Sequence, residues 1–176
     1  MTKFIFHIIL KWSISGHFKF LPRKCVIIVA PHTHWFDFFI GLIVRRIIKH
    51  KINFVGKKEL FIFPLNFFLK YLGGTPVHRN SNSNTVKQIA KIYSNNYVFR
   101  LAISPEGTRK KIKKWKTGFY FIAKKAKVPI ICVSLNYVKK DVNFSKPYEI
   151  TGDFDNDLNE LKSFFKGIKG KVVEYS

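Results

Sequence analysis

Acidic residues are the scarcest chemistry in this chain of 176 residues: 10 Asp and Glu stand against 32 Lys and Arg. They are also unevenly spread. Residues 1–140 hold only Asp37, Glu59 and Glu106 against 21 Lys and 6 Arg, a balance of +24, whereas residues 141–176 hold seven acids and five Lys, a balance of −2. A surface so poor in carboxylates attracts polyanions: anionic headgroups, phosphorylated metabolites or nucleic acid. Lys outnumbers Arg 26 to 6. Bidentate reading of bases and phosphates leans on Arg, so this balance suits diffuse attraction to an anionic surface, although A/T-rich codon usage would also enrich Lys.

Cysteine is nearly absent. Cys25 and Cys132 lie in apolar runs, which excludes a disulfide framework and any zinc spacing and reads as buried, reduced thiols on the cytosolic side. Long apolar runs are missing too. The best, Phe4 to Leu21, is broken by His7, Lys11, His17 and Lys19, whereas a membrane span needs about 20 mainly apolar residues. It also lacks the small-residue cleavage site of a secretory signal. On a helix, Phe4, Ile5, Ile8, Ile9 and Trp12 share one face and Lys3, His7 and Lys11 the other. That pattern fits an interfacial amphipathic helix with a cationic rim, or a helix docked on the core. Residues 1–24 are read as this N-terminal segment and 25–176 as the main domain.

Apolar residues are plentiful, with 19 Phe, enough for one core. Val26–Ala30 is a continuous apolar run stopped by Pro31 and reads as a buried strand; Tyr97–Ile103 and Pro129–Tyr137 read likewise, with shorter strands at 53–56 and 148–151. Helical patterning covers Phe38–Ile48, Asn84–Ser94, Thr117–Lys127 and Leu158–Ile168, and Leu60–Leu72 suggests two short helices around Pro64. Strands alternating with helices predict a single-domain α/β fold, a mixed sheet flanked by helices.

Three motifs stand out, the first two at expected strand ends, where ligands gather in α/β folds. The first is H-x-x-x-x-D, His32 to Asp37. Residues five apart on a helix differ by about 140° around its axis, so the two meet only if His32 lies on the turn before the helix. A carboxylate on one imidazole nitrogen would leave the other free as a general base, and N–H groups at the helix start could hold an oxyanion. A purely structural His–Asp pair is the alternative, and His34 is a second candidate base. The second motif, Ser104 to Arg109, offers Gly107 for a tight turn, Thr108 as a cap or ligand contact, Arg109 as a phosphate fork and Glu106 to position Arg109 or a hydroxyl, or else a capped turn with a surface ion pair. The third, Gly73 to Arg79, lets the backbone approach a ligand and supplies Arg79 as a second anion contact or a solvated charge.

Together these motifs resemble the glycerolipid acyltransferases, typified by 1-acylglycerol-3-phosphate acyltransferases and nearest to their small bacterial members. Lys57 to Phe61, Gly73 to Val77 with Arg79, Pro105 to Arg109, Trp115 to Tyr120, Val128 to Ile130 and Phe164 to Gly170 carry the likeness, which runs from about residue 25 to the end. It departs at His34, where many members have Ser, at Trp35 and Phe36, and at His78, where an acid is common.

The resemblance implies an αβ fold whose site faces the membrane. It implies transfer of a fatty acyl group from acyl-CoA or acyl carrier protein to a lysophospholipid hydroxyl, with 1-acylglycerol-3-phosphate giving phosphatidic acid. His32 is then the base and Asp37 its partner, and Arg79, Glu106, Gly107, Thr108 and Arg109 bind the acceptor. No cofactor or metal is implied. The expected setting is peripheral, on the cytoplasmic face of an anionic membrane, with no specific nucleic acid as partner. A basic nucleic-acid-binding protein is the rival reading, but it calls for aromatics interleaved with cations, and here Phe clusters in apolar blocks.

Overall fold

The longest apolar runs occupy the middle of a seven-stranded sheet in the computed structural model, which describes residues 2–77 and 82–176. The strands are β1 (Ser13–Gly16), β2 (Lys24–Ala30), β3 (Asn53–Lys57), β4 (Gly74–Val77), β5 (Phe99–Ile103), β6 (Ile130–Asn136) and β7 (Asp141–Phe144). Their order is β1-β7-β6-β2-β5-β3-β4, parallel except between β6 and β7. All seven residues of β6 are buried, as expected of a strand covered on both faces.

The helices are α1 (Thr2–Phe4, continued by a π-helical turn over Ile5–Ile9), α2 (Phe36–Ile48), α3 (Leu65–Tyr71), α4 (Asn82–Ser94), α5 (Gly118–Ala126) and α6 (Phe154–Ser163). Side chains alternate across β2 and β6 and feed two cores. Val26, Ile28, Ile130 and Cys132 pack with Ile89 and Tyr93 of α4, Phe119 and Ile122 of α5 and Leu161 of α6. Cys25, Ile27, Ile131 and Val133 pack with Ile40 and Val44 of α2 and with Phe6 and Trp12. The chain moves outward from β2 through α2 to β3 and through α3 to β4, then back through α4 and α5. Right-handed crossovers therefore place α2 and α3 on one face and α4 and α5 on the other. Both cysteines are free, and burial pushes each thiol up to about 12.

The N-terminal segment differs from a simple amphipathic helix. Helical structure stops at Ile9, Lys11 turns the chain with a φ of 56°, and Ser13–Gly16 joins the sheet. Trp12 is buried with Phe6, away from exposed Phe4, Ile5, Ile8 and Ile9. The cause is a long-range pairing: β1 gains a ladder with β7, and Asp141 accepts hydrogen bonds from the Ser13 and Ser15 hydroxyls, each at 2.6 Å. Strands β4 and β7 are additional to those expected from the sequence, and the expected strand at 148–151 is a single bridge from Tyr148 to Ile130.

Candidate active site

Because β2 and β5 are neighbours and parallel, the loops leaving their carboxyl ends meet. The first loop carries His32, and α2 places Asp37 in its first turn. His32 Nδ1 lies 3.0 Å from Asp37 Oδ2. The same oxygen accepts the N–H groups of Thr33 (3.0 Å) and His34 (2.9 Å), and Oδ1 accepts the Tyr137 hydroxyl at 2.5 Å. Burial alone would raise the Asp37 pKa, but the bonds from His32, Tyr137 and the His34 N–H outweigh it and hold the carboxyl below its usual range. An ionised Asp37 only accepts, so the imidazole proton sits on Nδ1 and Nε2 is left as the basic nitrogen. The His32 side chain is 28% exposed while that of Asp37 is 1% exposed: one end of the pair faces the ligand space and the other is sealed.

The second loop supports the first. Glu106 Oε2 accepts the His32 main-chain N–H at 2.7 Å and the Ser104 hydroxyl at 3.3 Å. Glu106 is buried, and desolvation raises its pKa despite those donors. Its carboxylate thus grips the loop that carries His32. Gly107 turns with a φ of +64°, and a Cβ there would meet the Lys116 side chain at 2.7 Å. Thr108 Oγ1 accepts the Lys110 N–H at 3.3 Å. Gly107, Thr108 and Arg109 line, with His32 and Ser104, an open hollow of about 440 Å³. Arg79 lies outside the described residues.

Two expectations change. His34 Nδ1 accepts the Phe36 N–H at 3.1 Å, so its proton resides on Nε2 and the ring caps α2. Of the helix-start N–H groups expected to hold an oxyanion, five are already committed: those of Thr33 and His34 to Asp37, of Phe36 to His34, and of Asp37 and Phe38 to the carbonyls of His34 and Trp35; that of Trp35 is not, among the described residues. Tyr137 gives no sign of its role in the sequence; it arrives from 100 residues away at the end of β6. Its ring meets Trp12 edge-on at 4.8 Å, and its N–H donates to the Lys169 carbonyl.

A second space adjoins the hollow and shares His32, Ala102, Ile103 and Ser104 with it. A cavity of about 290 Å³ runs from His32 and Asp37 between the sheet and α2, lined by Ile27, Val29, Gly41, Phe54, Val133 and Phe144 among others. A His–Asp pair set between an apolar slot and a hollow bordered by a cation has the shape to receive an amphiphile at its polar–apolar junction.

The geometry agrees with comparison to known proteins. The fold is similar to the crystal structure of the 1-acyl-sn-glycerophosphate (LPA) acyltransferase PlsC from Thermotoga maritima, with a TM-score of 0.58 and 20% identity over 93% of this chain and 73% of that chain. A search of curated proteins finds no significant match. The acyltransferase family model matches residues 14–136, a span that contains His32, Asp37 and the turn from Glu106 to Arg109. That span is more than half of the chain and carries both loops of the site, and the chain belongs to the acyltransferase family.

Proposed function

We propose that this acyltransferase moves a fatty acyl group from acyl-CoA or acyl carrier protein to the free hydroxyl of a lysophospholipid, 1-acylglycerol-3-phosphate in the first instance, giving phosphatidic acid at the cytoplasmic face of an anionic membrane. The observation that carries the reading is the His32–Asp37 pair standing where an apolar cavity meets the hollow beside Arg109. The acceptor hydroxyl binds at Nε2 of His32. As its oxygen attacks the thioester carbonyl, the proton passes to Nε2, and the tetrahedral intermediate collapses by breaking the C–S bond. The leaving thiolate takes the proton back, so ester and thiol leave and His32 is again neutral. Asp37 holds the Nδ1 proton throughout and balances the imidazolium. Arg109, together with Arg79, meets the acceptor phosphate, Gly107 and Thr108 shape its turn, and Glu106 serves through the His32 backbone.

The test is product analysis by mass spectrometry after incubation with each donor and a panel of lysolipids. His32→Ala is expected to abolish transfer, at least about 10³-fold in kcat as for a lost general base, with the thermal transition retained. Transfer near the wild-type rate would remove His32 from the role of base.

A further inference from the structure

We infer that α3 and the segment leading into it are the element on which this enzyme docks to an anionic bilayer, and that this ridge leads, through Phe54 and Phe38, to the apolar cavity. The inference rests on the lipid-acceptor reading above and names the surface that serves it. An amphipathic helix of a globular domain buries one face. Helix α3, with the sequence LNFFLKY, buries no residue. Around it Leu60, Ile62, Phe63, Phe67, Phe68 and Tyr71 are all exposed, Phe63 at 80% and Tyr71 at 83%.

The patch is continuous with the site. Phe61 lies against Gly56 of β3. Two residues away on that strand, Phe54 meets Phe38 of α2 edge-on at 5.4 Å, and Phe38 meets exposed Phe39 at 5.9 Å. Phe38 and Phe54 also line the cavity that reaches His32. Helix α1, which packs on α2, adds exposed Phe4, Ile5, Ile8 and Ile9. Among the described residues, fifteen of the twenty exposed large apolar side chains precede residue 72, so the apolar surface is gathered around α1, α2 and α3. Patches of this extent mark interaction surfaces.

Charge selects the occupant. Of the three acids before residue 141, Asp37 and Glu106 are buried in the site, which leaves Glu59 as the one exposed acid, beside Lys58, against exposed Lys70 on α3 and exposed Arg46 and Lys49 at the end of α2. Among the described residues no Lys or Arg lies within ion-pair distance of a carboxylate. A second copy would bring the same positive charge to the same ridge, whereas an anionic bilayer offers an apolar interior under a negative surface.

The full chain would be sedimented with vesicles of phosphatidylcholine and phosphatidylglycerol in equal parts, or of phosphatidylcholine alone, at low salt. The wild type should pellet with the anionic vesicles. Phe63→Ser/Phe67→Ser should lower the partition coefficient by about tenfold or more, given the apolar area withdrawn from the interface, while Tyr97→Ser/Phe121→Ser, away from the ridge, should match the wild type. Equal pelleting of the ridge variant would overturn the proposal. So would light scattering that finds a wild-type dimer dissociated by the ridge substitutions, because the ridge would then join two copies. Wild-type transfer to a monodisperse short-chain lysolipid tests the reaction separately, so a failed reaction and a failed docking surface give different results.

Discussion

Removing one hydroxyl, in Tyr137→Phe, tests how the base is held. The substitution keeps the ring that packs on Trp12 and the main-chain bond to Lys169 and deletes only the donor to Asp37 Oδ1. A hydrogen bond to a buried carboxylate is worth about 1.5–3 kcal/mol, so the variant should be about 2 kcal/mol less stable and melt roughly 4–8 °C lower for a domain of this size. The pH dependence has a definite sign. The Asp37 pKa is depressed in the folded protein, so its stabilisation is complete above the unfolded value of about 3.9 and is lost as pH falls through the folded one. The gap between wild type and variant should therefore be full near neutrality and close in acid, when followed by calorimetry at several pH values.

Kinetics separate a positioning role from a structural one. With Oδ1 unanchored the Asp37 carboxylate can swing and the imidazole with it, which should lower kcat by about tenfold with the acceptor KM little changed, the signature of an interaction that matters in the transition state. In an Asp37→Asn background the amide oxygen is claimed by the Thr33 and His34 N–H groups, which turns the NH2 toward Tyr137, so the tyrosine no longer steadies a charge. Adding Tyr137→Phe there should change kcat by less than about twofold, a coupling of neighbours read from the double-mutant cycle. Equal fractional losses in both backgrounds, or wild-type kcat in Tyr137→Phe, would refute the reasoning.

Two further outcomes follow from other parts of the structure. Arg109→Ala should raise the KM for a phosphate-bearing acceptor by about tenfold, the worth of one charge-assisted contact, with kcat nearly kept; an equal loss with phosphate-free acceptors would contradict a phosphate contact. Asp157 is fully buried and accepts the hydroxyls of Tyr120 (2.8 Å), Tyr148 (2.7 Å) and Thr151 (2.7 Å), which tie α5 and the bridge residue to α6. Burial would raise its pKa, but these donors hold it far below the usual range. Asp157→Asn should cost about 3 kcal/mol by loss of the charged acceptor. The difference should be full above the unfolded value of about 3.9 and vanish only in strong acid, as thermal melts at pH 7 and below pH 2 would show.

What the sequence discloses and what it hides have physical causes. Lys24–Ala30 and Ile130–Asn136 were legible because a strand buried on both faces must be apolar at nearly every position. Ser13–Gly16 and Asp141–Phe144 were not, because neither carries an apolar run and each is stabilised by the ladder it shares with the other. The His32–Asp37 spacing was legible because its chemistry is local to one turn. Tyr137 was hidden because β6 lies beside β2 only in the folded sheet.

The expectation that helix-start N–H groups hold an oxyanion is narrowed to that of Trp35, for a reason that bears on the charge of the whole chain. The turn after β2 cannot use the same N–H groups to fix Asp37 and to receive a developing negative charge, and it uses them for Asp37. Under the proposed mechanism, stabilisation of that charge would draw also on the positive field around the hollow, which Arg109 lines. A cation that is already paired with a carboxylate contributes little to such a field. The scarcity of acids before residue 141, and the burial of two of the three within the site, keeps the cations of the described region out of ion pairs. On the proposed function, the imbalance that would draw the protein to an anionic surface would thus also favour the charge forming beside His32.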